Sequence, residues 1–141
     1  MGYDMEIVVL KRKTLDRAKA KYPKCSFSDL YTNLLFTRLY PDEYEFPEEE
    51  AGRWICSESR AIFKEYFSGS VGNGEVITIE EEEYKRMFDW LKNKLETTTL
   101  LDIARTEKEI EDLYPFIRVY REMCDTVVDF ETEVVIFSHD W

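Results

Sequence analysis

Three short runs, "EIVVL" (6–10), "EVITI" (75–79) and "TEVVIF" (132–137), constrain the fold of this chain more than any other feature. Each is apolar, rich in β-branched residues, and bounded by charged or turn-forming residues, which is the pattern of a strand held inside a sheet. A fourth, shorter run, "RWIC", reads as a strand around Trp54 to Cys56.

The segments between them carry helical spacing instead. "TLDRAKAKY" favours a helix with Thr14 as its cap and Pro23 marking the end, and "SFSDLYTNLLFTRLY" sets Phe27, Leu30, Tyr31, Leu34, Leu35 and Leu39 at steps of three and four behind Ser26 or Ser28. "SESRAIFKEYF" predicts a helix capped by Ser57 or Ser59, with Ile62, Phe63, Tyr66 and Phe67 facing inward. "SGSVGNG" is the clearest turn in the chain. Its glycine spacing precedes a strand and lacks the Lys-Ser/Thr of a phosphate loop, because Glu75-Val76 stands there.

From Glu80 to about Glu96 a helix is expected. Thr78 and Glu81 are spaced as a capping box, Glu81 with Lys85 and Glu82 with Arg86 as i,i+4 pairs, and Tyr84, Met87, Phe88, Leu91 and Leu95 as the buried stripe. A further helix is predicted to bury Ile110, Leu113, Ile117, Tyr120, Cys124 and Val127. Pro115 either kinks it or lies in the first turn of a helix capped by Asp112. The order is strand, helices, strand, helix, strand, helices, strand. It predicts an α+β fold: a single compact domain over residues 1–141, with a small mixed or antiparallel sheet of about three to five strands packed with four or five helices. At 141 residues such a chain can bury a self-sufficient core.

Function is bounded mainly by what is scarce. The one histidine, His139, lies near the end of the sequence and reads as a surface residue, which removes Ser-His and Cys-His catalysis and leaves too few imidazoles for zinc or the non-haem iron triad. Cys25, Cys56 and Cys124 are odd in number and far apart, so the expectation is buried reduced thiols without a disulfide framework. No catalytic, metal or cofactor-binding residue is assigned. The short apolar run at the start is no signal peptide and no window approaches a membrane span, so a cytoplasmic protein is expected.

Charge is the remaining signal. The net charge is −11, yet residues 1–41 hold eight bases and four acids, which leaves −15 on the other hundred residues. Such a field repels nucleic-acid phosphates and attracts basic partners. Between Asp42 and Glu83 there are thirteen acids and three bases. The acids of "DEYEFPEEE" have no local bases and no helix to begin. Asp42, Glu43, Tyr44, Glu45, Phe46, Glu48, Glu49 and Glu50 are therefore the candidate partner-binding residues, with Glu80 and Glu83 extending the same surface.

Pro41-Asp42 followed by Glu83-Tyr84-Lys85 resembles the PD-(D/E)xK signature of a nuclease superfamily, in which the acids hold a divalent metal and the lysine positions water. That family sets its triplet on a strand, whereas here it falls in a predicted helix. In composition, a small acidic chain with many aromatics and no catalytic set resembles the phage inhibitors of nuclease defences, the anti-CRISPR and anti-restriction nucleic-acid mimics. This implies a non-enzymatic module occupying a basic, nucleic-acid-binding partner. An immunity protein against a cationic toxin nuclease, a metal-dependent nuclease, and a structural or subunit-forming domain are the alternatives.

Overall fold

The computed structural model of the chain describes residues 4–31, 53–97 and 107–140. Four strands and five helical segments are present among them. In chain order they are β1 (Asp4–Lys11), α1 (Arg12–Lys21), helical residues 27–31, β2 (Arg53–Glu58), α2 (Lys64–Phe67), β3 (Val76–Ile79), α3 (Glu81–Glu96), α4 (Glu107–Asp125) and β4 (Glu133–Asp140). The strands form one antiparallel sheet in the order β2-β1-β4-β3. The architecture is α+β.

The run "EIVVL" lies where its composition requires. β1 is bonded on both edges, and Met5, Ile7, Val8, Val9 and Leu10 are all buried. Because side chains alternate along a strand, both faces of the sheet must be covered. On one face Met5, Ile7, Val9, Val135, Phe137 and Ile79 pack under α3, α4 and residues 62–71. On the other, Val8, Leu10, Val134 and Ile136 pack under Leu15 and Ala18 of α1 and under Leu30 and Tyr31. A bulge between Ile7 and Val8 pairs Ile7 with Cys56 and Val8 with Trp54, which leaves Ile55 as the extra residue. Ile55 and Cys56 consequently join the same core cluster while Trp54 packs on the opposite face.

The helices follow their apolar spacing with five corrections. α1 begins directly after β1 at Arg12, so Thr14 is no cap but a fully buried residue inside the helix. The cap position is Lys11, without a side-chain bond. Ser26 does act as a cap, accepting from the Asp29 N–H at 3.2 Å. Leu34, Leu35 and Leu39 lie outside the described residues. The helix expected behind Ser57 or Ser59 is the single turn α2, because Ser57 remains in β2; Ile62, Phe63 and Phe67 are buried nonetheless.

α3 starts at Glu81 with Glu80 as its uncapped N-cap residue, so the Thr78–Glu81 capping box does not form: Thr78 belongs to β3. Its stripe is as expected, with Met87 and Leu91 fully buried and Tyr84, Phe88 and Leu95 packed against the core. In α4, Pro115 lies inside the helix and not in its first turn, leaving the Glu111 carbonyl without its usual i→i−4 donor. The face of α4 is also rotated from the expected one. Val119 and Met123 are buried with Phe116 and Tyr120 beside them, whereas Cys124 is exposed, Ile117 is 39% exposed and Val127 84%.

Thr14 gives a direct test of this packing. Its hydroxyl is buried and has no hydrogen-bond partner, so it carries a desolvation cost that nothing offsets. Thr14→Val keeps the shape and removes that cost. An increase of about 1 kcal/mol in unfolding free energy is expected from urea denaturation. An unchanged or lower midpoint would show that the hydroxyl is solvated or bonded in solution.

Candidate functional site

The ten residues singled out from the sequence are distributed unevenly. Asp42, Glu43, Tyr44, Glu45, Phe46, Glu48, Glu49 and Glu50 lie outside the described residues. Glu80, 69% exposed, faces Arg12 at 3.5 Å across the junction of β1 and α1. Glu83 is engaged more firmly, accepting from Tyr66 Oη at 2.8 Å and from Arg86 Nε at 3.0 Å. Burial would raise its carboxyl, but the hydrogen bonds from Arg86 and Tyr66 and the Arg86 charge hold it below the usual range. Arg86 thus pairs with Glu83 and not with the expected Glu82, while Glu81 and Lys85 meet at 3.2 Å as their spacing requires.

These contacts also bear on the Glu83-Tyr84-Lys85 triplet. It sits in the first turns of α3, not on a strand; Glu83 turns toward Tyr66 and Arg86, and Lys85 toward Glu81. Tyr84 packs on Phe130, and burial first, then the Cys56 and Cys124 sulfurs, push its hydroxyl up to about 12. Asp42, the other half of the resemblance, is outside the described residues.

The cysteines divide in a way the sequence did not show. Cys25 and Cys124 are exposed, while Cys56 is buried in β2. Burial, followed by the charges of Glu122 and Glu58, raises its thiol far above the ordinary range, which keeps it inert as a nucleophile. Glu58 is buried beside it, its side chain 3% exposed. It accepts from Arg118 Nε at 3.0 Å, from a second Arg118 N–H, and from the Ser59 N–H at 3.0 Å. That set of bonds ties α4 to β2.

A second acidic group emerges from strand register. Asp4 stands directly opposite Asp140 in the β1–β4 ladder, and Glu6 opposite Ser138. Alternation places all four on the sheet face that carries Val8, Leu10, Val134 and Ile136, at the end away from α1. There the apolar cover stops. An open pocket of about 280 Å³ takes its place, lined by Asp4, Glu6, Ser28, Tyr31, Gly74, Val76, Ser138, His139 and Asp140. Tyr31 donates its hydroxyl to Glu6 at 2.7 Å, fixing that carboxylate at the wall.

Among the described residues no lysine or arginine pairs with Asp4, Glu6 or Asp140. Like charges directly opposite on a sheet are destabilising. The arrangement therefore leaves negative potential, with hydroxyls beside it, where a cationic group can be received. No group of three or more His, Cys, Asp or Glu side chains among the described residues is arranged to hold a metal ion.

His139 corrects a further expectation. It is not a surface residue: β4 continues through Asp140, paired along its length with β1, and alternation turns the imidazole to the core face with Val135 and Phe137. It is 2% exposed, edge-on to Phe67 and Phe137, with Nε2 3.4 Å from the Val71 carbonyl oxygen. No helix among the described residues is long and apolar enough to cross a membrane. No family model, curated protein or solved structure matches this chain.

Proposed function

We propose that this protein is a non-enzymatic interaction module that binds a basic, nucleic-acid-binding protein and occupies its cationic surface, acting as an inhibitor of a nuclease. The observation that carries the reading is the pocket at the β1–β4 end of the sheet. Three carboxylates converge there, none matched by a base among the described residues, in an open concavity of about 280 Å³. The acids of 42–50 are a further part of the anionic surface under this reading. Burying a partner's cation between Asp4, Glu6 and Asp140 would relieve their mutual repulsion, so the contact would favour orientation and association rate as well as affinity.

The test uses a fluorescein-labelled octalysine peptide and fluorescence anisotropy. Binding is expected to weaken steeply with added salt. The variant Asp4→Asn, Glu6→Gln, Asp140→Asn is expected to lose about tenfold in affinity, equivalent to about 1.4 kcal/mol. A control that removes the same charge from exposed positions of α3, Glu82→Gln, Asp89→Asn, Glu96→Gln, should lose less than about threefold, as expected for rim charges. Equal losses in the two variants would show that only net charge matters and would overturn the assignment of the pocket.

A further inference from the structure

The turn between α2 and β3, residues 68–75, is exposed except at Val71. Its backbone departs from ordinary geometry three times, with Ser68 at φ 47°, Gly69 at 86° and Gly74 at 74°. Two hydrogen bonds join it to β4, and both end on the same residue. The Gly74 N–H donates to the His139 carbonyl at 2.9 Å, and the His139 ring meets the Val71 carbonyl at 3.4 Å. Gly74 and His139 also line the acidic pocket.

We infer that His139 is an acid-sensitive latch: its neutral imidazole holds the 68–75 turn against β4, and its protonation releases the turn and with it one wall of the acidic pocket. The geometry fixes the direction. A ring that donates through Nε2 to the Val71 carbonyl carries its added proton on Nδ1, and the resulting charge lies between Phe67 and Phe137, where water is excluded.

Among the described residues, the charged groups around the ring do not remove that cost. Lys64 on α2 opposes the imidazolium and Glu75 on the turn favours it, while Asp4 of β1 and Asp140 of β4 lie at the same end of the sheet with side chains on the opposite face. Burial outweighs the help from the Val71 carbonyl and Glu75, and the imidazole titrates below its ordinary range. The unfolded chain then binds this proton more readily than the folded one. The stability it provides is complete above about pH 6.5 and is lost as pH falls toward the lower folded value. Opening the turn is the least costly relief, because its other residues already face water.

The latch stands on these contacts alone, whereas its effect on binding rests on the function proposed above. Hydrogen exchange read by mass spectrometry, corrected for intrinsic rates, tests the first. Between pH 7.5 and 5.5, protection of peptides covering 68–75 is expected to fall several-fold, while β1 changes less. His139→Phe and His139→Gln, neither of which titrates, should show no such fall. Protection that is unchanged in the wild type, or that falls equally in a folded variant, would overturn the latch.

Octalysine affinity measured over the same range tests the second. It is expected to weaken more on acidification in the wild type than in His139→Gln. A turn that opens in acid in a protein that binds no peptide at either pH upholds the latch and overturns the binding reading. Peptide binding that persists unchanged with the turn open overturns the coupling between them.

Discussion

Replacing Phe137 with alanine is expected to remove about 3–5 kcal/mol of folding free energy, the usual cost of deleting a buried aromatic ring. The ring is among the fully buried side chains of the molecule's larger core. On β4 its backbone pairs with Ile7 on one side and Ile77 on the other, and its fully buried side chain meets Phe67 at 4.9 Å, His139 at 5.1 Å and Phe63 at 6.0 Å. Phe63 and Phe67 flank and end α2, so a cavity there cannot close without moving α2 onto β4. Urea denaturation by far-ultraviolet circular dichroism measures the loss. A change under about 1 kcal/mol would mean that the core collapses into the space, contrary to the packing described.

The second large effect is expected at the junction of α4 and β2. Arg118→Met should destabilise the fold by about 3 kcal/mol, the low end of what breaking a buried ion pair costs. The low end applies because the Arg118 side chain keeps about half of its surface in water, at 52% exposed, while the Glu58 carboxylate at 3% does not. With the cation gone, Glu58 retains only the Ser59 donors.

Glu122 shifts as well. Burial already raises its carboxyl, the Arg118 charge lowers it and Glu58 raises it, so removing Arg118 moves it further upward. A double variant, Glu58→Met with Arg118→Met, should recover most of the loss, because the penalty belongs to the stranded charge and not to the missing bond. A thermodynamic cycle over the four proteins measures this directly. A double variant as unstable as Arg118→Met alone would show that packing, not charge, holds the junction.

Sequence alone made the layered arrangement legible because its strands are extreme. A run such as "IVVL" (7–10), with no polar residue on either side of its pleat, has to be covered on both faces, and the helices that cover it were visible in their spacing. In α3 the apolar residues define one stripe without ambiguity. In α4 they do not: Leu113, Phe116, Ile117, Val119, Tyr120, Met123 and Cys124 support two overlapping stripes, and only the docking on β2 selects the one through Val119 and Met123. Pairing with a distant strand decided His139 too. Its neighbours in sequence are polar, but register with Met5 turns it inward.

The pocket was illegible for the same reason. Asp4, Glu6 and Asp140 are isolated acids at opposite ends of the numbering. The signal that unites them is the alternation of two strands whose pairing no local pattern specifies. By contrast, the run "EEEE" (80–83) is dense in charge, yet in the fold Glu81 and Glu83 are matched to Lys85 and Arg86. Crowding in sequence and unmet charge in space are different properties.

The strand order carries one last consequence, for the route by which the sheet is made. Its longest ladder joins β1 to β4, the first and last described elements of the chain. Local hairpins cannot nucleate that pairing, and the entropy of bringing such distant segments together has to be met before either face has a complete lining. Until β4 is in place, β1 has one free edge and two uncovered apolar sides. The strand that completes this ladder also brings His139 and Asp140, so the buried imidazole and the acidic pocket depend on the same long-range pairing.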